Sequence, residues 1–300
     1  MSLVVQVELT KLAHDMGVEV SEVQLLDQLG REELVELRAM VNHALFAPHV
    51  HRFGRFGAMA RLVPSGVAAK MAEVALGPVM TARVAAVVEP ELAVKMASHI
   101  DPDFMARMSP HLEPSKIAGI LDGLPDATVV DVGRRLVEAR EHIALGRFIC
   151  VVSVPTSVLV VENAPPLELL QIALYTEEPA ALDAVIAVLP DDRIVGVLVA
   201  AQEAGVMDDA VAMQAPLSSV TRTRILSLAS GTDEEVREEL IRSVSRNDTW
   251  DQVVSVLDDL GAGRAGSLLG VPALQEAEVR AGLTASATGH PAAERLLASL

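Results

Sequence analysis

Between residues 89 and 124 the apolar and polar positions repeat with a period of 12: EPELAVKMASHI, DPDFMARMSPHL, EPSKIAGILDGL. Each unit opens with an acid and a proline: Glu89-Pro90, Asp101-Pro102, Glu113-Pro114. An acid before a proline marks a helix start. The carboxylate suits the positive end of the helix dipole, and proline at the first helical position lacks an N–H that would be unpaired there anyway. Apolar residues then recur at spacings of three and four: Leu92, Met96 and Ile100; Phe104, Met108 and Leu112; Ile117, Ile120 and Leu124. Such spacings share one helical face.

Further starts follow at Pro125-Asp126, Pro165-Pro166, Glu178-Pro179 and Pro190-Asp191, and at Thr232-Asp233 with Glu235 completing a capping-box pattern. Residues 147–161 carry many β-branched side chains and admit a strand, but the flanking units favour helix. At the amino end, LTKLAHDMG and SEVQLLDQL read as helices with Ser21 as an N-cap. REELVELRAMVNHALF reads as an amphipathic helix of about 16 residues, ended by Pro48. From about 262 onward the chain is rich in Gly, Ala and Ser, which predicts looser helices or partly disordered ends.

A helix of three turns cannot bury its apolar face alone, and helices stacked in series share a continuous core. The expected fold is therefore all-α: an α-solenoid, or superhelical stack, of short helices with an N-terminal helical cap. The expected division is 1–62 for the cap, 63–262 for the repeat and 263–300 for the tail. The aromatic content of 2% agrees, because closely layered helices favour Ala, Val, Leu and Met over large rings.

The run EPELAVKMASHIDPDFMARMSPHLEPSKIAGILDGLP resembles the amino-terminal superhelical domain of MgtE-type magnesium transporters, over roughly residues 60–135. That domain is built from short helices with an acid-proline start and apolar residues in register. The resemblance implies the fold only. No transmembrane helices and no CBS-like sequence follow the run, so magnesium sensing is not implied.

Composition narrows the function classes. The net charge is −17, which argues against nucleic-acid binding, because phosphate neutralisation needs a basic face. A single cysteine excludes a disulfide framework. The longest apolar stretch, 148–161, is 14 residues and falls short of the ~20 that span a bilayer. The N-terminus lacks the basic region, long apolar run and cleavage site of a secretory signal. The expectation is a cytoplasmic protein without a transmembrane segment. A mean hydropathy of +0.37 suggests helices buried on several sides, or an apolar groove awaiting a ligand or partner.

The most unusual stretch is His43 to Arg61. It holds His43, His49 and His51, Phe46, Phe53 and Phe56, and Arg52, Arg55 and Arg61, with no acid from Asn42 through Arg61. The plain reading is a turn between cap and repeat, loosened by Gly54 and Gly57. The functional reading is a site for an anionic or amphipathic partner, with Arg forks gripping carboxylate or phosphate and Phe covering apolar parts. A third reading pairs His49 and His51 on one side of an extended chain as metal ligands, but local spacing fixes no third ligand. Seven of eleven methionines lie nearby: Met40, Met59, Met71, Met80, Met96, Met105 and Met108. They read either as core filling or as a pliable groove for an apolar partner.

Other features read as structural. His99 and His111 occupy matching last-turn positions, and Cys150 sits among apolar neighbours. Gly261-x-Gly263-x-x-Gly266 follows a helical pattern rather than the strand that dinucleotide binding needs. Acidic pairs such as Asp191-Asp192, Asp208-Asp209 and Asp258-Asp259 read as helix starts and solvated faces. No local constellation sets a nucleophile beside a base. The expected function is therefore a non-enzymatic binding or scaffold protein without a cofactor, holding a protein partner on a concave surface. The alternative is a carrier or sensor of a hydrophobic small-molecule ligand of anionic, lipid-like type in a Met/Val-lined groove.

Overall fold

The structure is a computed structural model that describes residues 3–46 and 50–299. It is all-α: among the described residues there are helices and turns and no strands. The chain forms two compact units, one of Met1–Ala164 with Tyr175–Glu177, the other of Pro165–Leu174 with Glu178–Leu300. Among the described residues no helix is long and apolar enough to cross a membrane.

The first unit begins with α1 (Leu3–Met16), α2 (Val20–Val23) and α3 (Arg31–Phe46). These share a small core of Leu9, Leu12, Ala13, Val23 and Leu34. Glu19, not Ser21, precedes α2: its backbone N–H donates to Glu22 Oε1 at 3.1 Å, and Ser21 lies inside the helix. There follow α4 (Val50–Ala60), α5 (Ser65–Met71) running through a π turn (Ala72–Leu76), and α6 (Gly77–Ala85). The predicted repeat appears as α7 (Pro90–Ala97), α8 (Pro102–Met108) and α9 (Pro114–Leu121). Each starts on its proline. The Asp101 carboxylate accepts from the N–H groups of Asp103 (2.8 Å) and Phe104 (3.3 Å), as an N-cap should. The unit closes with α10 (Asp126–Glu138), α11 (His142–Phe148) and α12 (Val154–Val161). The β-branched run is thus helical, with Ser153 capping α12.

The second unit holds α13 (Pro166–Leu174), α14 (Pro179–Val188), α15 (Asp191–Glu203), α16 (Met207–Met213) and α17 (Ser219–Ala229). After these come α18 (Glu234–Arg246), α19 (Trp250–Leu260), α20 (Ala262–Leu269), α21 (Ala277–Ser286) and α22 (Pro291–Ser299). Asp233 precedes α18; the Thr232 hydroxyl instead donates back to Ala229 O at 2.7 Å, so the predicted capping box is not formed by Thr232. The Gly/Ala-rich end is not loose. Leu268, Leu269, Leu274, Leu283 and Ala293 are fully buried in one core with Trp250 and Leu257.

Most of these short helices are held by the helix two places along. In the first unit α4 packs on α6, α5 on α7, α6 on α8, α7 on α9, α8 on α10 and α10 on α12; in the second, α13 on α15, α15 on α17, α16 on α18, α17 on α19, α19 on α21 and α20 on α22. Helices this short are unstable alone in water, so serial packing supplies their stability. Glycine admits the closest approaches. A Cβ on Gly133 of α10 would lie 2.5 and 2.8 Å from the Val160 methyls of α12, and one on Gly282 of α21 would lie 2.5 Å from the Trp250 ring of α19. Prolines at helix starts contribute again here: Pro90 rests on Gly119 two helices later, and Pro166 on Gly196.

Candidate functional site

Within the His43–Arg61 island, residues 43–46 end α3 and residues 50–60 are helical, not the loosened backbone expected around Gly54 and Gly57; residues 47–49 lie outside the described residues. Residues 50–60 form α4, which buries Phe53 against Val84, Leu76, Val87 and Val88. Gly57 lets α4 approach Val88 to within 3.0 Å of where its Cβ would be. His51, Arg52 and Phe56 belong to α4, and His49 lies outside the described residues. Residue 51 is therefore in a helix, which removes the extended alternation on which a His49–His51 metal pair was based. Among the described residues no group of three or more His, Cys, Asp or Glu is placed to hold a metal ion. Arg55 and Met59 are exposed on α4.

The methionines divide. Met105 and Met108 are buried, and Met108 shares a core with Phe104, Leu112, Ile117 and Ile120; Met96 is half-buried. Met105 and Met108 fill the interior and are not available to line a groove. Met40, Met59, Met71 and Met80 are exposed. They belong to a wider concentration. Of seventeen exposed large apolar side chains among the described residues, ten fall between residues 40 and 80, including Leu62 at 84% and Val74 at 75% exposure.

The helix from Ser65 through the π turn explains part of this. It buries only Ala68, Ala69 and Ala72, and turns Val67, Met71 and Val74 outward. Val67 and Met71 lie one turn apart on one face of α5, and Val74, in the π turn, is exposed as well. An ordinary surface helix does the reverse, burying its largest apolar residues. A π turn within a helix is uncommon and recurs at functional sites. Glu73, in that turn, accepts from the backbone N–H of Asp101 at 2.7 Å and from Lys70 Nζ at 3.0 Å. The Asp101 amide, and then Lys70, hold its carboxyl below the usual glutamate range.

Charge distinguishes the same region. No Asp or Glu occurs from residue 37 through 72, where Arg38, Arg52, Arg55, Arg61 and Lys70 do, in a chain of net charge −17. Arg61 pairs with Glu89, and Lys70 with Glu73.

A second cluster escaped the sequence reading. Glu8, Lys11 and Asp15 of α1, Arg38 of α3, Arg147 of α11 and Glu177 form a largely buried ionic network. Lys11 Nζ lies 3.1 Å from Glu8 and Arg38 lies 3.2 Å from Glu8. Arg38 donates to Glu177 at 2.6 Å, and Arg147 to Asp15 at 3.0 Å. Asn42 adds a hydrogen bond to Asp15 at 2.8 Å. Burial pulls the Lys11 ammonium below its ordinary value, opposed by Glu8. Three carboxylates balance three cations, so no charge is left over for a ligand, and the network acts as a clasp between α1, α3, α11 and residue 177. In a helix, acids and bases three apart read as a solvated face; only the fold shows that these are inside.

The remaining sequence features are structural. The His99 ring lies over Gly66, and Gly261 joins α19 directly to α20 with no strand before it. Asp191 pairs with Arg224, which also donates to Ile186 O and Leu189 O at the end of α14. Asp208 accepts from Arg246 and Ser243, and Asp258 from the Ala292 N–H at the start of α22. A cavity of about 10 Å³ in the second unit, lined by Val211, Leu226, Leu240 and Val253 among others, has room for about one water. No family model, curated protein or solved structure matches this chain.

Proposed function

We propose that this chain is a non-enzymatic helical-repeat binding protein, and that it recognises a protein partner through the outward apolar, acid-poor surface of residues 59–80. The observation that carries this reading is the inverted helix Ser65–Leu76, which shows valine and methionine to solvent while burying alanine. Contiguous exposed apolar surface bordered by charge is the signature of an interaction site, and methionine adapts to the partner it meets. Leu62, three residues before this helix, is also exposed; Lys70 lies in the helix, and exposed Arg55 and Arg61 fall in the same acid-free stretch of sequence.

The test is affinity capture from the source cells, comparing the natural chain with a Leu62→Asp, Val74→Asp double variant. Both side chains are solvent-exposed, so the variant keeps the helical circular dichroism of the parent. The reading expects at least one protein to be captured by the parent and lost with the variant. Equal capture by both, or none by either, contradicts it. A native mass spectrum of the purified chain checks the carrier alternative: a mass above that of the polypeptide, lost on denaturation, identifies a bound small molecule.

A further inference from the structure

The ionic network of the first unit is balanced only while Glu177 is inside it. Without that carboxylate, Glu8 and Asp15 face Lys11, Arg38 and Arg147, and one positive charge is left over in a largely buried place. Glu177 also differs from the other members. Those five stand on helices with side chains 3–11% exposed, whereas Glu177 lies in the non-helical stretch 175–178 with its side chain 33% exposed. Its fit is incomplete. Arg38 Nη2 lies 2.6 Å from Glu177 Oε1, and Arg147 Nε lies 3.5 Å from the same oxygen. Arg147 Nε and Arg38 Nη1 are buried donors that complete no hydrogen bond among the described residues, although Nη1 lies 3.2 Å from Glu8. A buried donor without an acceptor costs free energy, and a guanidinium is shaped to meet a two-oxygen anion with two parallel bonds. We propose that Arg38 and Arg147 form a binding site for a carboxylate ligand, and that Glu177 is its internal, exchangeable occupant.

The leftover charge selects the class of ligand. One carboxylate neutralises one positive charge. A phosphate dianion would bring a second negative charge beside Asp15, which lies 3.0 Å from Arg147 and 3.9 Å from Arg38, and beside Glu8. Like charges this close in a buried place repel strongly, so the site favours the monoanion. Glu177 sets the threshold for entry. A tethered group competes at an effective concentration on the order of millimolar or above, so a ligand displaces it by abundance or by contacts beyond its own carboxylate. Its arrival satisfies the arginines of α3 and α11 and frees residues 175–178. The site stands apart from the apolar surface of residues 59–80, and neither depends on the other.

Acetate is the probe, used with the full chain. Glu177→Ala vacates the place, and Glu177→Gln removes the charge while keeping the size of the side chain. Hydrogen exchange is read at the amides of α3 and α11, in acetate and in chloride at equal ionic strength. At about 100 mM acetate, a dissociation constant of about 10 mM slows exchange from the opened state about elevenfold. The expected result is a slowing of that order in Glu177→Ala, a smaller one in Glu177→Gln, and little in the natural chain, where Glu177 competes. Glu178→Ala, the exposed neighbour, behaves as the natural chain does. Phosphate at the same ionic strength protects Glu177→Ala less than acetate does. Adding Arg147→Lys to Glu177→Ala keeps the charge but loses the fork, and is expected to remove most of the acetate effect. Acetate protection in neither Glu177 variant overturns the proposal, as does equal protection in every chain, or phosphate protecting as well as acetate. If circular dichroism shows that Glu177→Ala does not fold, the comparison of Glu177→Gln with the natural chain decides.

Discussion

Gly133→Ala tests the claim that close approach between helices two places apart holds the repeat. In an unconstrained helix the change stabilises by about 0.5–1 kcal/mol, because alanine lowers the entropy of the unfolded chain. Here the new methyl would lie 2.5, 2.8 and 3.2 Å from three atoms of Val160, a well-buried side chain of α12. Overpacking of this kind costs about 1–3 kcal/mol. The contact outweighs the helix gain, and a net loss of about 1–2 kcal/mol is expected, roughly 5–30-fold in the local opening equilibrium. Stacked repeats need not unfold in one step. The assay is therefore hydrogen exchange followed by mass spectrometry, read at the amides of α10 and α12, with urea unfolding as a global check. Val160→Ala removes both offending methyls. In that background Gly133→Ala is expected to stabilise by the ordinary 0.5–1 kcal/mol, which gives a coupling energy of about 1.5–3 kcal/mol in the double-mutant cycle. If Gly133→Ala slows exchange in the parent chain, or if the cycle shows no coupling, then α10 and α12 are not packed as described.

Gly282→Ala makes the corresponding test in the second unit, where Trp250 is the only tryptophan and reports directly. Displacing its ring is expected to shift emission to longer wavelength and cost about 1–3 kcal/mol; an unchanged spectrum refutes the contact. Arg38→Met leaves Glu8, Asp15 and Glu177 with two cations in a largely buried site and is expected to cost about 3–5 kcal/mol in urea unfolding, with faster exchange in α1 and α3; a cost under about 1 kcal/mol refutes the clasp. The folded Glu73 carboxyl titrates lower than it does when unfolded, so its contribution is present above about pH 4.3 and is lost as pH falls through the folded value. Glu73→Gln is expected to flatten the acid side of the urea midpoint–pH profile, and an unchanged slope contradicts this.

The helix starts were legible because their chemistry is local. An acid-proline pair fixes φ and offers an acceptor without reference to anything distant, and α7, α8, α9 and α14 begin where such pairs stand. Two features were not legible, for different reasons. GVAAKMAEVAL is apolar around most of a helix, with Lys70 and Glu73 marking one side only, so periodicity does not tell whether the alanines or the valines face inward. The clasp joins Asp15 to Arg147, partners 132 residues apart that only the packing of α11 against the amino-terminal helices brings together. The conformation of residues 50–60 was not legible for a third reason. Gly54 and Gly57 suggested a loosened backbone, whereas Gly57 is there to let α4 close on Val88. Its residue types were noticed, but the extended conformation inferred for them was not the one adopted.

Site-specific photocrosslinking in cells reaches the functional claim most directly, with benzoyl-phenylalanine placed at Val74 in one chain and at Val220 in another. Both positions are exposed, but only Val74 lies in the concentrated apolar region. The account predicts discrete protein adducts at residue 74, whether of a second copy or of another protein, and none above background at residue 220. Adducts equally frequent at both positions, or absent at residue 74, would contradict it.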